Sequence, residues 1–162
     1  MRRFLKLILN RLAKQNSLRG IEMKFDIIFY LARKTALCEK ALIKKLKPYM
    51  LYNESKSAVT PEGLGQCLLD SLSKCYICFI LGGIGLEGGT GAEHILFGAI
   101  SSTVTEYKTE IKKIKNKLSD RDGYLFSCNK QSIVLLPDVP SEIDEMITGI
   151  LIRNLLMNIN KT

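Results

Sequence analysis

The 162-residue chain has no tryptophan, one histidine and four prolines, and its 24 basic side chains outnumber 16 acidic ones. A single histidine rules out a multi-histidine metal centre. Twelve glycines are too few for a collagen-like repeat, and 46% hydrophobic residues are too many for a low-complexity disordered chain. No apolar run reaches the roughly 20 residues that a membrane-spanning helix needs. The longest nearly uninterrupted run, residues 75–86, is broken by Gly82, Gly83 and Gly85. Lys6 and Arg11 interrupt the first apolar turns, so no secretory leader is expected. The five cysteines have no regular spacing and read as buried apolar thiols rather than a disulfide framework. A reducing, cytoplasmic location follows as an expectation.

What remains is the composition of an ordinary folded unit, long enough to close a layered core without disulfides or a structural metal. The net charge of +8 is unevenly spread, because residues 1–50 hold 13 basic and 3 acidic side chains. Phe4, Leu5, Ile8, Leu9 and Leu12 fall on one helical stripe, with Arg2, Arg3, Lys6, Arg11 and Lys14 largely outside it. Residues 1–22 are therefore expected to be a basic amphipathic helical appendage, and residues 23–162 an α/β domain. Such a helix docks on its own core, or else meets a protein partner, nucleic acid or an anionic membrane surface.

Residues 24–30 (KFDIIFY) are short, β-branched and aromatic, the pattern of a buried strand. Cys38, Ala41, Leu42 and Leu46 line one side of a helix over about 33–47, ended by Pro48. Residues 52–59 are polar and poorly patterned, compatible with a short edge strand. Thr60-Pro61-Glu62 has the chemistry of a helix start. Residues 75–81 (CYICFIL) lack alternation, as in a central parallel strand covered on both faces. A helix is predicted over 92–102. The spacing of Tyr107, Ile111, Ile114 and Leu118 predicts a second one. Residues 124–128 and 132–136 read as a hairpin with a three-residue loop, and Ser141 with Asp144 as a capping box opening one closing helix through Leu155. Strands alternating with helices predict a three-layer α/β/α sandwich with a mostly parallel sheet and an antiparallel hairpin.

Ligands of parallel sheets lie at the carboxyl ends of strands, where loops lead into helix N-termini that attract anions. Two loops have that position. Residues 82–91 (GGIGLEGGTG) follow the central strand; Gly82, Gly83 and Gly85 would let backbone N–H groups approach phosphate, and Thr90 would add a hydroxyl. Residues 136–141 (LPDVPS) follow the last strand, with Pro137, Asp138, Pro140 and Ser141 as the opposite wall. No Gly-Lys-Ser/Thr follows the first loop, so it is not a Walker loop, and it does not follow the first strand as a dinucleotide fingerprint would. Cys75 and Cys78 form a lone CxxC in a predicted buried strand, which does not make a zinc site. His94, near a helix start, reads as a surface or cap residue.

The order of strand, Gly82-Gly83-x-Gly85, helix, hairpin, then Leu136-Pro137-x-Val139-Pro140-Ser141-Glu142 and a terminal helix resembles the molybdopterin-binding domain family. The resemblance covers residues 23–156 in order of elements, and the Val139-Pro140-Ser141-Glu142 segment looks most like the competence/damage-inducible protein A branch. It implies a molybdopterin-binding-like domain for a phosphorylated pterin or nucleotide, related to molybdenum cofactor biosynthesis and assembled as a dimer or trimer. It also implies magnesium-assisted nucleotidyl transfer or pyrophosphate hydrolysis where catalysis is kept. Four features differ: Leu81 stands for the family's threonine, Asp138 for its glycine, the first strand runs into Tyr30-Leu31-Ala32 without the family's Gly/Asp/Glu or Ser-Asp loop, and no carboxylate occupies Gly89 or Thr90, where the family's functional aspartate would fall. Glu87 and Glu93 flank that position, so the resemblance leaves two outcomes: chemistry displaced onto them, or a fold kept without turnover.

Overall fold

The computed structural model describes residues 23–101 and 108–161. Residues 1–22, with the basic appendage, lie outside them. The order is β1 (Lys24–Tyr30), α1 (Thr35–Leu46), β2 (Leu51–Ala58), α2 (Pro61–Lys74), β3 (Ile77–Leu81), α3 (Ala92–Ser101), β4 (Thr109–Ile114), β5 (Gly123–Cys128), β6 (Gln131–Leu136), α4 (Pro140–Met146) and α5 (Gly149–Ile159). The strands form one sheet in the order β2-β1-β3-β6-β5-β4. β2, β1, β3 and β6 are parallel, while β5 and β4 run antiparallel to their neighbours.

Helices cover both faces, as the alternation in β1 requires. Ile28 and Tyr30 face α2 and α3 with Leu64, Leu68, Ile95 and Leu96; Phe25, Ile27 and Phe29 face α1, α4 and α5 with Leu42, Leu46, Ile143 and Leu155. All five residues of β3 are buried, the consequence of a central parallel strand with a helix layer on each side. α2 begins as its sequence suggests: the Thr60 hydroxyl accepts from Gly63 N at 3.0 Å, Pro61 holds the first helical position and Glu62 lies in the first turn.

Five local expectations are corrected. The predicted helix around 107–118 begins at Tyr107, outside the described residues, and Thr109–Ile114 of it form the edge strand β4, because Ile111 pairs across the ladder with Phe126 and the gain from pairing with β5 outweighs helical spacing. Lys112 and Lys113 on that edge discourage a further strand from adding. The hairpin loop has two residues, since Cys128 pairs with Gln131; Asn129 takes a φ of +57° that asparagine tolerates. The closing helix is two helices. Thr148 interrupts it, and its hydroxyl caps α5 by accepting from Leu151 N at 3.2 Å. Ser141 forms no capping box, because Pro140 already holds the first helical position and the N-cap is Val139, which makes no side-chain bond. Cys75 is likewise not in the central strand but ends α2.

The segment between β4 and β5 is fastened by Asp122. Its Oδ1 accepts from Asn116 N at 2.9 Å, and Lys113 Nζ lies 3.0 Å from Oδ2. The Asn116 amide first, then Lys113, pull this carboxyl down to about 2. A carboxyl held below its unfolded value stabilises the fold above that value, and the contribution disappears as pH falls through the folded one. Asp122→Asn is thus expected to be less stable than the parent at pH 7, with the difference closing between about pH 4 and pH 2. Urea unfolding at stepped pH measures it; a difference unchanged at pH 2 would show that Asp122 does not act through its charge.

Candidate functional site

β1, β3 and β6 lie side by side and run the same way, so their carboxyl ends open on one rim. The loop after β3 and the loop after β6 therefore meet, and Gly82 N donates to Leu136 O at 2.9 Å. Between them is a cavity of about 190 Å³ lined by Leu31, Arg33, Gly83, Ile84, Leu86, Arg121, Pro137 and Asp138. A larger open groove of about 770 Å³ runs along α5 beside Tyr49, Leu156 and Met157. That groove also carries charge, from Arg153 and Lys161, but it holds none of the predicted residues and no strand-end loop, so the smaller rim cavity is the candidate site.

The glycine-rich loop is shaped by Tyr30. The Tyr30 hydroxyl donates to Thr90 O at 2.8 Å across the loop, and burial first, then Glu62, pushes its phenol up, which keeps it a neutral donor. Gly83, with φ of +70°, passes over this ring, and Gly82, with φ of +94°, packs against the Tyr30 carbonyl and Ala32. A Cβ on Gly82 would stand 2.6 Å from Tyr30 O, and one on Gly83 would run into Tyr30 Cδ1. Only glycine fits here, for both steric and conformational reasons. Gly83 O accepts from Ala92 N at 2.7 Å, closing the loop onto α3.

Of the residues expected from the sequence, Gly83, Pro137 and Asp138 line the cavity. Gly82 is not a lining residue; its N–H ties the two loops at Leu136 O. Gly85 N donates to Glu93 Oε1 at 2.7 Å, so both are engaged within the loop, while Glu93 Oε2 is buried without a hydrogen-bond partner. The Thr90 hydroxyl donates to Glu87 O at 3.1 Å. Glu87, Glu93, Thr90, Pro140 and Ser141 are not lining residues, and Ser141 is exposed on α4. His94 is exposed beside Gly89.

Arg33 and Arg121 were not anticipated. Arg33 sits in the loop after β1, three residues past Tyr30, the position that the strand-end rule favours, so it was within reach of the sequence. Arg121 reaches the rim because β5 is antiparallel to β6 and begins beside the end of β6, with Tyr124 opposite Leu135. Its Nη2 lies 3.4 Å from both carboxylate oxygens of Glu142, a side chain only 7% exposed. Asp138 Oδ2 accepts from Arg33 N at 2.8 Å, and Oδ1 lies 4.0 Å from Arg121 Nη1.

Among the described residues the cavity is lined by two arginines, one carboxylate and apolar walls, a set that takes an anion attached to a flat apolar body. It is a poor magnesium site, because its one carboxylate already accepts an N–H and stands beside a cation. Among the described residues no group of three or more His, Cys, Asp or Glu could hold a metal ion. Burial pushes the Cys75 thiol up to about 12 and Cys38 up to about 11, the opposite of what a reactive or ligating thiolate needs. No described helix is long and apolar enough to cross a membrane.

No protein-family profile matches the chain, and no curated protein matches its sequence. Solved structures do match. CinA from Thermoplasma acidophilum is 11% identical over 85% of this chain and 98% of that one, with a TM-score of 0.58. MogA is 16% identical over 85% and 97%, also at 0.58. The tungsten cofactor synthesizing protein MoaB from Pyrococcus furiosus is 13% identical over 85% and 98%, at 0.52. Six strands in this order, with helices on both faces, give the chain the MoaB/Mog-like fold on a sequence that has diverged widely from these proteins.

Proposed function

We propose that this protein binds a phosphorylated pterin or nucleotide in the rim cavity and serves in molybdenum cofactor biosynthesis as a binding domain without phosphoryl transfer. One observation carries the reading: the two strand-end loops enclose a cavity whose wall includes Arg33 and Arg121. In this reading the guanidinium groups take the phosphate, Gly83 lets the ligand approach the backbone, and Leu31, Ile84 and Pro137 cover the ring. Against turnover stands the placing of Glu87 and Glu93, neither of which lines the cavity, with Glu93 turned back onto Gly85 N. Cytoplasmic location and a homo-oligomer, dimer or trimer, belong to the same proposal; sedimentation velocity checks the assembly.

Calorimetry with 6-hydroxymethylpterin monophosphate, GMP, AMP and ATP, with and without magnesium, tests the site. Saturable heat from at least one is expected, and magnesium should not be required. Silence from all of them rejects the reading. Arg121→Gln is expected to weaken every phosphorylated ligand about 10- to 100-fold, the size of a lost charge-assisted contact. Unchanged affinity in a folded Arg121→Gln protein would move the anion site elsewhere.

A further inference from the structure

Asp138 is the one carboxylate among the described residues lining the cavity, and its surroundings restrict its use. One oxygen accepts from Arg33 N at 2.8 Å, and the other stands 4.0 Å from Arg121 Nη1, beyond hydrogen-bond distance. A carboxylate presents about four lone-pair positions. Both oxygens therefore keep acceptor capacity, on a side chain 16% exposed at the cavity wall. A carboxylate repels phosphate and attracts N–H donors. In a cavity that already holds two guanidinium groups, Asp138 adds recognition of a second, donor-bearing part of the ligand. At about 190 Å³ the space admits one bicyclic ring but not a dinucleotide. Arg121 leaves room for this pairing because Glu142, buried behind it, takes Nη2.

We infer that Asp138 selects a 2-amino-4-oxo pyrimidine edge, the edge that guanine and pterins share, against adenine. This rests on the cavity being the ligand site. On that edge a ring N–H and an exocyclic NH2 lie side by side and supply two donors for the two carboxylate oxygens. Adenine sets its N6 amino group beside an unprotonated N1, so one carboxylate oxygen would face a lone pair.

The test is calorimetry on the full chain with GMP, 6-hydroxymethylpterin monophosphate, AMP and inorganic phosphate, repeated on Asp138→Asn and Arg121→Lys. The parent should bind GMP and the pterin at least about tenfold more tightly than AMP, the scale of one bidentate polar pair. In Asp138→Asn the order should reverse, because the amide carbonyl accepts from N6 and the amide NH2 donates to N1. The asparagine oxygen can still accept from Arg33 N, and thermal unfolding verifies the fold. Arg121→Lys should weaken all phosphorylated ligands in parallel and leave the ratio intact. Equal affinities for GMP and AMP in the parent overturn the inference whatever the variants do, while the site itself stands. Parallel loss of both in Asp138→Asn overturns it too. No binding of any probe, phosphate included, removes the cavity reading and the inference with it.

Discussion

Gly83→Ala is expected to destabilise the protein by about 3 kcal/mol and to abolish ligand binding at the rim. An L-residue forced into the left-handed region costs about 1–2 kcal/mol. Overpacking a closed site costs about 1–3 kcal/mol more. Both apply here, because φ is +70° and the added Cβ would collide with Tyr30 Cδ1 and stand 2.9 Å from Cε1. The ring has nowhere to go. Tyr30 is fully buried between β1 and the α2–α3 layer, and its hydroxyl is held by Thr90 O. At this chain length the loss corresponds to a fall in Tm of roughly 10 °C. Gly85→Ala is the control: its φ is +71°, but nothing lies within 4 Å of the new atom, so only the conformational cost of about 1 kcal/mol applies. If the two variants unfold at the same temperature, contact with Tyr30 is not what demands glycine at position 83.

Lys56→Ala is expected to cost about 3–5 kcal/mol, the price of leaving a buried carboxylate unpaired. Asp26 is fully buried in β1, where Lys56 Nζ reaches Oδ2 at 2.9 Å and Asn53 Nδ2 donates to Oδ1 at 2.8 Å. The ammonium, on a side chain 17% exposed, also meets Glu54 at 2.8 Å, Asp70 at 3.1 Å and Ser71 Oγ at 3.0 Å. Burial drives the Asp26 carboxyl up, but bonds from Lys56, Asn53 and Ser71 outweigh it and the net direction is down. Burial drives Lys56 down, and bonds to Glu54, Asp26 and Asp70 outweigh that, so it ends raised. The lowered acid contributes stability above its unfolded value near 3.8, lost as pH falls below it. The raised base contributes stability below its unfolded value near 10.5, lost as pH rises above it. Lys56→Ala should therefore be worst at neutral pH. The double variant Asp26→Leu, Lys56→Met should recover most of the loss, since a packed apolar pair replaces a buried ion pair at little cost. Urea unfolding of the three proteins decides; a double variant as unstable as Lys56→Ala would show that the site depends on charge rather than on the absence of an unpaired one.

This polar cluster shows where sequence reading reaches its end. Asp26 sits inside an apolar strand and Lys56 in a stretch without evident pattern, and nothing local pairs them. They meet because β1 and β2 are parallel neighbours, with a register shift between Phe25 and Ile27 that sets Asn53 and Lys56 around the carboxylate. The edge strand β4 escaped for a similar reason. Its isoleucines keep a spacing compatible with a helix, and only the partner strand β5 decides the matter. The cap at Thr60 and the covered strand β3, by contrast, depend on a few adjacent residues and were readable from them.

By itself, the sequence determined the α/β sandwich, the central position of β3, and the two loops, one rich in glycine and one in proline, that end β3 and β6. Each of these follows from short-range stereochemistry or from the period of apolar residues, which the chain carries wherever it folds. Only the tertiary structure decided that these loops share a rim, that the Thr90 hydroxyl and Glu93 Oε1 are engaged within the glycine-rich loop, and that Arg33, Arg121 and Asp138 gather at one cavity. Strand order and direction bring Arg33 and Asp138, 105 residues apart, into hydrogen-bond contact, and no local preference encodes a neighbour at that distance.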